Sequence, residues 1–172
     1  MRLLVNGCSY TWGAELHPLG REQKNQETQE ERQYREEHVW GGQLARKLGL
    51  SEYTNIAVGG GSNIRILRTT ISEILKIPDN ERKDLLVIVG WSDIFRYEHY
   101  YKNAWQKILP NWYNDKINGL DKIADFYYRY MMENTSCIEQ FLINCVSLQS
   151  FLQAYSIKYL FFLLHSPQQK MK

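Results

Sequence analysis

Cysteine is scarce: Cys8, Cys137 and Cys145 are odd in number and share no close ligand spacing, which argues against a disulfide framework or a zinc site and leaves reduced thiols. Long apolar runs are missing too. No stretch approaches the ~18 consecutive apolar residues of a membrane span, and the Met-Arg start leads into an apolar run too short for a signal peptide, without a small-residue cleavage site. The expected location is therefore the cytoplasm, with a viral protein in the host cytosol equally open. An excess of one charge is absent as well. With 21 basic against 19 acidic residues the net charge is +2, far from the balance that announces a phosphate-backbone partner, so nucleic acid is not expected.

What is present is ordinary globular material: 44% apolar and 23% charged residues exclude wholesale disorder and collagen-like repeats, and 172 residues suit one domain, 1–172. Leu3-Leu4-Val5 closed by Asn6-Gly7 reads as a buried strand stopping at a tight turn. Residues 21–38 are nearly all polar, a solvated insertion that is either an exposed helix or a loop. Val39, Trp40, Leu44, Leu48 and Leu50 share a helical face, with Gly49 as a stop. Residues 53–57 read as a short strand running into Gly59-Gly60-Gly61, after which Ser62 caps a helix bearing Ile64, Leu67, Ile71 and Ile74. Residues 85–89 form an apolar run ending at Gly90, as in a strand covered on both faces. The aromatic-rich segment 95–113 has no clean period and reads as a loop-rich excursion. Residues 120–155 are largely helical with a break near Asn134-Thr135; Ile138, Phe141, Leu142, Cys145, Leu148, Phe151, Leu152 and Tyr155 form a broad apolar stripe, and 159–164 form a fourth strand. No internal repeat is visible.

This alternation predicts an α/β domain of three layers, α/β/α, with a mostly parallel, flavodoxin-like sheet of about four or five strands, because parallel neighbours need crossovers that run back across the sheet. Ligands in such sheets lie beyond the carboxyl ends of the strands. That rule selects Ser9, residues 59–63 and residues 90–93 as one site.

Those three strand ends carry a family resemblance. Gly7-Cys8-Ser9-Tyr10 resembles the Gly-Asp-Ser block of the SGNH (GDSL-like) hydrolases, with Cys8 in the place of Asp. Asn55-Ile56-Ala57-Val58-Gly59-Gly60-Gly61-Ser62 is similar to the second block, and Val87-Ile88-Val89-Gly90-Trp91-Ser92-Asp93 to the third, with Ser92 standing where that block has Asn. The likeness includes the small phage-type SGNH-like proteins. It implies a serine ester hydrolase with Ser9 as nucleophile and the Gly60 amide in the oxyanion hole. A serine hydroxyl needs a base and preorganised donors for the oxyanion, and Asn63 or Ser92 is the expected side-chain donor. The fourth block, an Asp-x-x-His pair, has no match, and the sequence stops eight residues after Leu164. The reading therefore expects a fragment or shortened form, or a base from elsewhere. His165 is the late histidine available, although it follows a different strand from the family's; His17, His38 and His99 are less suggestive.

Each candidate has a plainer role beside it. Ser9 can cap or turn backbone without chemistry. Cys8 is expected to point away from Ser9 as a small buried residue. Asp93 and Arg96 are candidate substrate-binding residues, with Asp93 also suited to capping the next segment. The glycine triplet fits neither a P-loop nor the dinucleotide fingerprint, so no cofactor is expected, and no metal. The aromatic excursion suits a lid, a partner surface or a satellite core, with the last two favoured. Two functions follow: an SGNH-like esterase acting on an ester-bearing small molecule or carbohydrate, and a non-catalytic SGNH-fold protein that binds a protein partner through its aromatic surface.

Overall fold

The computed structural model describes residues 1–16, 27–50, 52–109 and 119–163. A four-stranded parallel sheet in the order β2-β1-β3-β6 is formed by β1 (Arg2–Asn6), β2 (Glu52–Asn55), β3 (Leu85–Trp91) and β6 (Lys158–Leu163). Helices cover both faces, giving the expected three-layer α/β/α arrangement. Strand alternation decides which residue goes to which layer. Leu3 and Val5 of β1 and Ile88 of β3 pack with Ala45 and Trp40 of α3 (Trp40–Lys47). Leu4, Val87, Val89 and Trp91 point the other way, against Ile66 and Ile74 of α4 (Asn63–Leu75) and Leu148 and Leu152 of α7 (Asn134–Ala154).

The strand order places a topological switch between β1 and β3, because the chain leaves β1 on one side to form β2 and then crosses to the other. Helix α4 begins where the sequence places it: the Ser62 hydroxyl accepts from the Arg65 amide at 3.2 Å, and Ile66, Thr70 and Ile74 recur on its buried face.

Four segments are defined more closely by the structure than by the sequence. The described part of the polar insertion contains α2 (Gln29–His38), opened by a reciprocal capping box between Thr28 and Glu31. It is not simply solvated, because Arg35 is buried. The excursion contains an antiparallel hairpin, β4 (Tyr97–Tyr101) and β5 (Ala104–Ile108), turning through Lys102 and Asn103 at positive φ. Ile108 packs there with Leu120 and Ala124 of α6 (Leu120–Phe126), so a satellite core exists. The helix break falls at Met132 and Glu133, after a π-helical turn at Tyr127–Met131. On α7, Ile138 and Leu142 are exposed, and the buried side is Cys137, Asn144, Leu148 and Leu152. The short helices α1 (Ser9–Trp12) and α5 (Asp79–Arg82) complete the described elements together with a 3-10 turn at Ala14–Leu16.

Candidate functional site

The three turns picked out from the sequence meet at Gly7. Its carbonyl accepts from the Val58 amide at 3.4 Å and lies 3.3 Å from where a Cβ on Gly61 would be. A Cβ on Gly7 itself would run into the Thr11 hydroxyl and sit 2.8 Å from the Gly90 carbonyl. The ends of β1 and β3 and the glycine bend after β2 are therefore in direct contact, and only glycine fits at their junction. Asn6, fully buried, fixes this corner from below: its Nδ2 donates to the Ile66 carbonyl and to the hydroxyls of Thr69 and Thr70, while its Oδ1 accepts from the Gly7 amide at 2.8 Å. The sequence marks Asn6-Gly7 only as a turn; the anchoring onto α4 is not visible in it.

Ser9 follows two residues later, half-buried at the first position of α1, with the fully buried Cys8 as its N-cap. Gly60 adopts φ +72°, and the side chains of Leu109 and Lys107 lie over it, 3.4 and 3.6 Å from where its Cβ would be. The hairpin thus reaches across to the glycine bend, and Lys107 Nζ donates to the Gly59 carbonyl at 3.0 Å.

Asn63, Ser92, Asp93 and Arg96 form a second group at the end of β3. The buried Asn63 amide donates to the carbonyls of Ser92 (3.1 Å) and Asp93 (3.4 Å) and accepts from the Ser92 amide at 2.8 Å. These bonds clasp the strand end to the start of α4. The Ser92 hydroxyl accepts from Arg96 Nη1 at 3.0 Å, and Asp93 Oδ1 accepts from the Phe95 amide at 2.8 Å, the turn-capping role expected for it. His165 lies outside the described residues, as does His17. His38 sits exposed on α2, its Nδ1 2.7 Å from the Tyr34 carbonyl, and His99 lies in the hairpin beside Tyr97. Among the described residues no group of His, Cys, Asp and Glu is arranged to hold a metal ion, and no helix is long and apolar enough to cross a membrane.

Beyond the end of β2 opens a cavity of about 440 Å³ whose walls include Trp12, Asn55, Gly59, Glu36, Arg32 and Lys107. Its outer wall is the supposed insertion, held by Arg35. That guanidinium grips Glu27 through two hydrogen bonds of 2.7 and 3.2 Å, donates to Glu36 at 3.0 Å and to the Trp12 carbonyl at 2.8 Å, and lies 4.4 Å from the centre of the Trp12 ring. Burial works against its charge, but hydrogen bonding to Glu27 and the field of both carboxylates outweigh it and hold the proton more tightly than usual. Burial pushes the Glu36 carboxyl above the ordinary carboxylate range, with the nearby Arg35 opposing. Glu27, Arg35 and Glu36 are the members of this region that sequence reading missed; the signal was confined to one long polar segment.

The family described as "Family of unknown function (DUF6071)" matches residues 21–171. No curated protein matches the chain. A candidate acylhydrolase from Bacteroides fragilis NCTC 9343, solved by crystallography, is similar at 14% identity with a TM-score of 0.42, over 93% of this chain and 46% of that one. The chain therefore spans a little under half the length of that protein.

Proposed function

The chain belongs to the DUF6071 family, and we propose, from its own residues, that it is an SGNH-like serine ester hydrolase domain with Ser9 as nucleophile. The observation that carries this reading is the meeting of three strand-end turns at Gly7, two residues before Ser9, at the switch point of a parallel sheet. In this reading the Ser9 hydroxyl attacks the ester carbonyl, and the oxyanion falls to backbone amides, that of Gly60 among them. Asn63 and Ser92 enter differently from the sequence expectation. With its amide engaged at Ser92 and Asp93, Asn63 fixes the geometry of the β3 end, and Ser92 holds Arg96. Arg96 and Asp93 flank the approach from that side as substrate-binding candidates. His165 is the histidine the sequence offers as base.

The test is labelling with a fluorophosphonate probe and hydrolysis of p-nitrophenyl acetate. Wild type should be labelled and active, and Ser9→Ala should lose both. Labelling that survives the substitution would remove Ser9 from the role. A second reading, a non-catalytic binding module, is favoured by one observation: Tyr100 and Trp105 form an exposed edge-to-face pair, 5.4 Å between ring centres, on the outside of the hairpin. Absence of labelling in folded wild type would select it.

A further inference from the structure

We infer that a second, smaller cavity, between the start of α4 and the start of α7, is a binding site for a small monocarboxylate with a compact apolar body. The inference does not rest on the hydrolase reading, because the described lining of this cavity holds neither Ser9 nor the glycine bend.

The cavity has a volume of about 240 Å³, just under the ~300–1,000 Å³ common for small-molecule sites, so it suits a ligand of one ring or a short branched chain. Its apolar wall is drawn from separate elements. Ile64 comes from α4, Ile94 follows β3, Tyr97 belongs to β4 and Phe141 to α7, while Tyr127 and Met131 are the two ends of the π-helical turn, a feature frequent at functional sites. Tyr97 and Tyr127 stack with ring centres 4.3 Å apart and planes 9° from parallel, which gives this side a preformed surface.

Among the described residues of the wall, Arg96 alone is charged. Its Nη1 donates to the neutral Ser92 hydroxyl at 3.0 Å, and no carboxylate among the described residues lies within ion-pair distance of the guanidinium. The acids nearest in sequence are engaged elsewhere, Asp93 at the Phe95 amide and Glu98 at Arg68. Nε and Nη2 remain to receive the two oxygens of a carboxylate, whose geometry the planar guanidinium fork matches.

A second donor waits deeper in the wall. Asn144 is only 3% exposed; its Oδ1 accepts from Gln140 at 3.4 Å, but its Nδ2 has no partner among the described residues. A buried donor left unsatisfied carries a desolvation penalty that an arriving acceptor removes. The cavity also adjoins two helix starts: Asn63 and Ile64 open α4, and Ser136 and Cys137 lie in the first turn of α7. These ends favour negative charge. Glu133 offsets that of α7 by accepting from the Ser136 amide, whereas the first turn of α4 holds no acid. Burial first, and then the neighbouring Cys137 thiol, push the Tyr127 hydroxyl up to about 12, so it adds no negative charge near neutrality. One cation and one neutral donor complement a single negative charge. A phosphate dianion would be undercompensated here and would meet an apolar wall.

The test is isothermal titration calorimetry of wild type with benzoate, phenylacetate and isovalerate, and with the primary amide of each as its uncharged counterpart. At least one acid should bind, and its amide should bind at least tenfold more weakly. Arg96→Gln and Asn144→Leu, checked for folding by circular dichroism, should each weaken the acid about tenfold, equivalent to about 1.4 kcal/mol. Ser9→Ala should bind the acid as wild type does, so a failure of Ser9 labelling removes the hydrolase and leaves this site standing. No binding of any of the three acids by folded wild type overturns the inference. So does equal affinity for acid and amide, undiminished binding by folded Arg96→Gln, or displacement of the acid by inorganic phosphate at equal concentration.

Discussion

Arg35 and Glu27 are the residues on which the wall of the cavity depends, since both side chains are nearly inaccessible, at 4% and 6% exposure. Removing one partner of such a pair leaves the other charge buried and uncompensated, which costs ~3–5 kcal/mol. Arg35→Met should therefore lower stability by about that much, read from urea unfolding, whereas Arg35→Met combined with Glu27→Leu should recover part of the loss. Gly7 is constrained by space. A methyl group at this position meets the Thr11 hydroxyl and the Gly90 carbonyl, so Gly7→Ala should destabilise by ~1–3 kcal/mol or more, the range for overpacking, and should reduce any Ser9 labelling by displacing the turn. Glu36 gives a pH signature. Its folded-state value lies above the ordinary one, so the folded form holds the proton more tightly than the unfolded chain. The contribution is fully present below the unfolded value and is lost as pH rises through the folded one. Between those two values, wild type should lose stability relative to Glu36→Gln; a pH-independent difference between the two proteins would show that Glu36 titrates normally.

At the scale of elements, the β4–β5 hairpin and the sheet are separately cored. Ile108→Ala should cost ~2–5 kcal/mol as a buried large-to-small change, and hydrogen exchange should speed up in residues 97–108 before it does in β1 or β3. The hairpin was not legible in the sequence for a specific reason. The inward position of β4 is occupied by Glu98, buried and paired with Arg68 of α4 through hydrogen bonds of 3.1 and 3.2 Å, so the apolar alternation that signals a half-buried strand is absent. Arg35 escaped in the same way: its partner Glu27 is eight residues away, and in one dimension a buried ion pair looks like two solvated charges. The parallel strands were legible because the runs 3–5 and 85–89 are apolar on both faces, which is what a sheet covered by two helical layers requires.

For the molecule as a whole, α7 shows what periodicity could not decide. It carries one charged residue in 21, Glu139, so no face is singled out by polarity, and the stripe read from the sequence mixed core with surface. Leu148 is buried, while Leu142 and Val146 are more than half exposed. Leu148→Ala should cost ~2–5 kcal/mol. Leu142→Gln and Val146→Gln should each stay within ~0.5 kcal/mol of wild type in thermal unfolding, as surface changes do; a large loss at either would mean that this side of the helix is covered. The convergence of the three strand-end turns was legible, because the switch-point rule needs only the order of strands and helices. The contacts of the Asn63 amide with the backbone of the neighbouring turn were not legible, because they join residues 29 and 30 positions apart.

The crossing of Lys107 and Leu109 over Gly60 ties two parts of very different strength. The glycine bend belongs to the deeply cored sheet, and its cover to a ribbon resting on three buried residues, Ile108, Leu120 and Ala124. Under the proposed hydrolase reading, passage past that amide is timed by the weaker of the two, so stiffening the ribbon should slow arrival and departure without touching a single group assigned to the reacting bond.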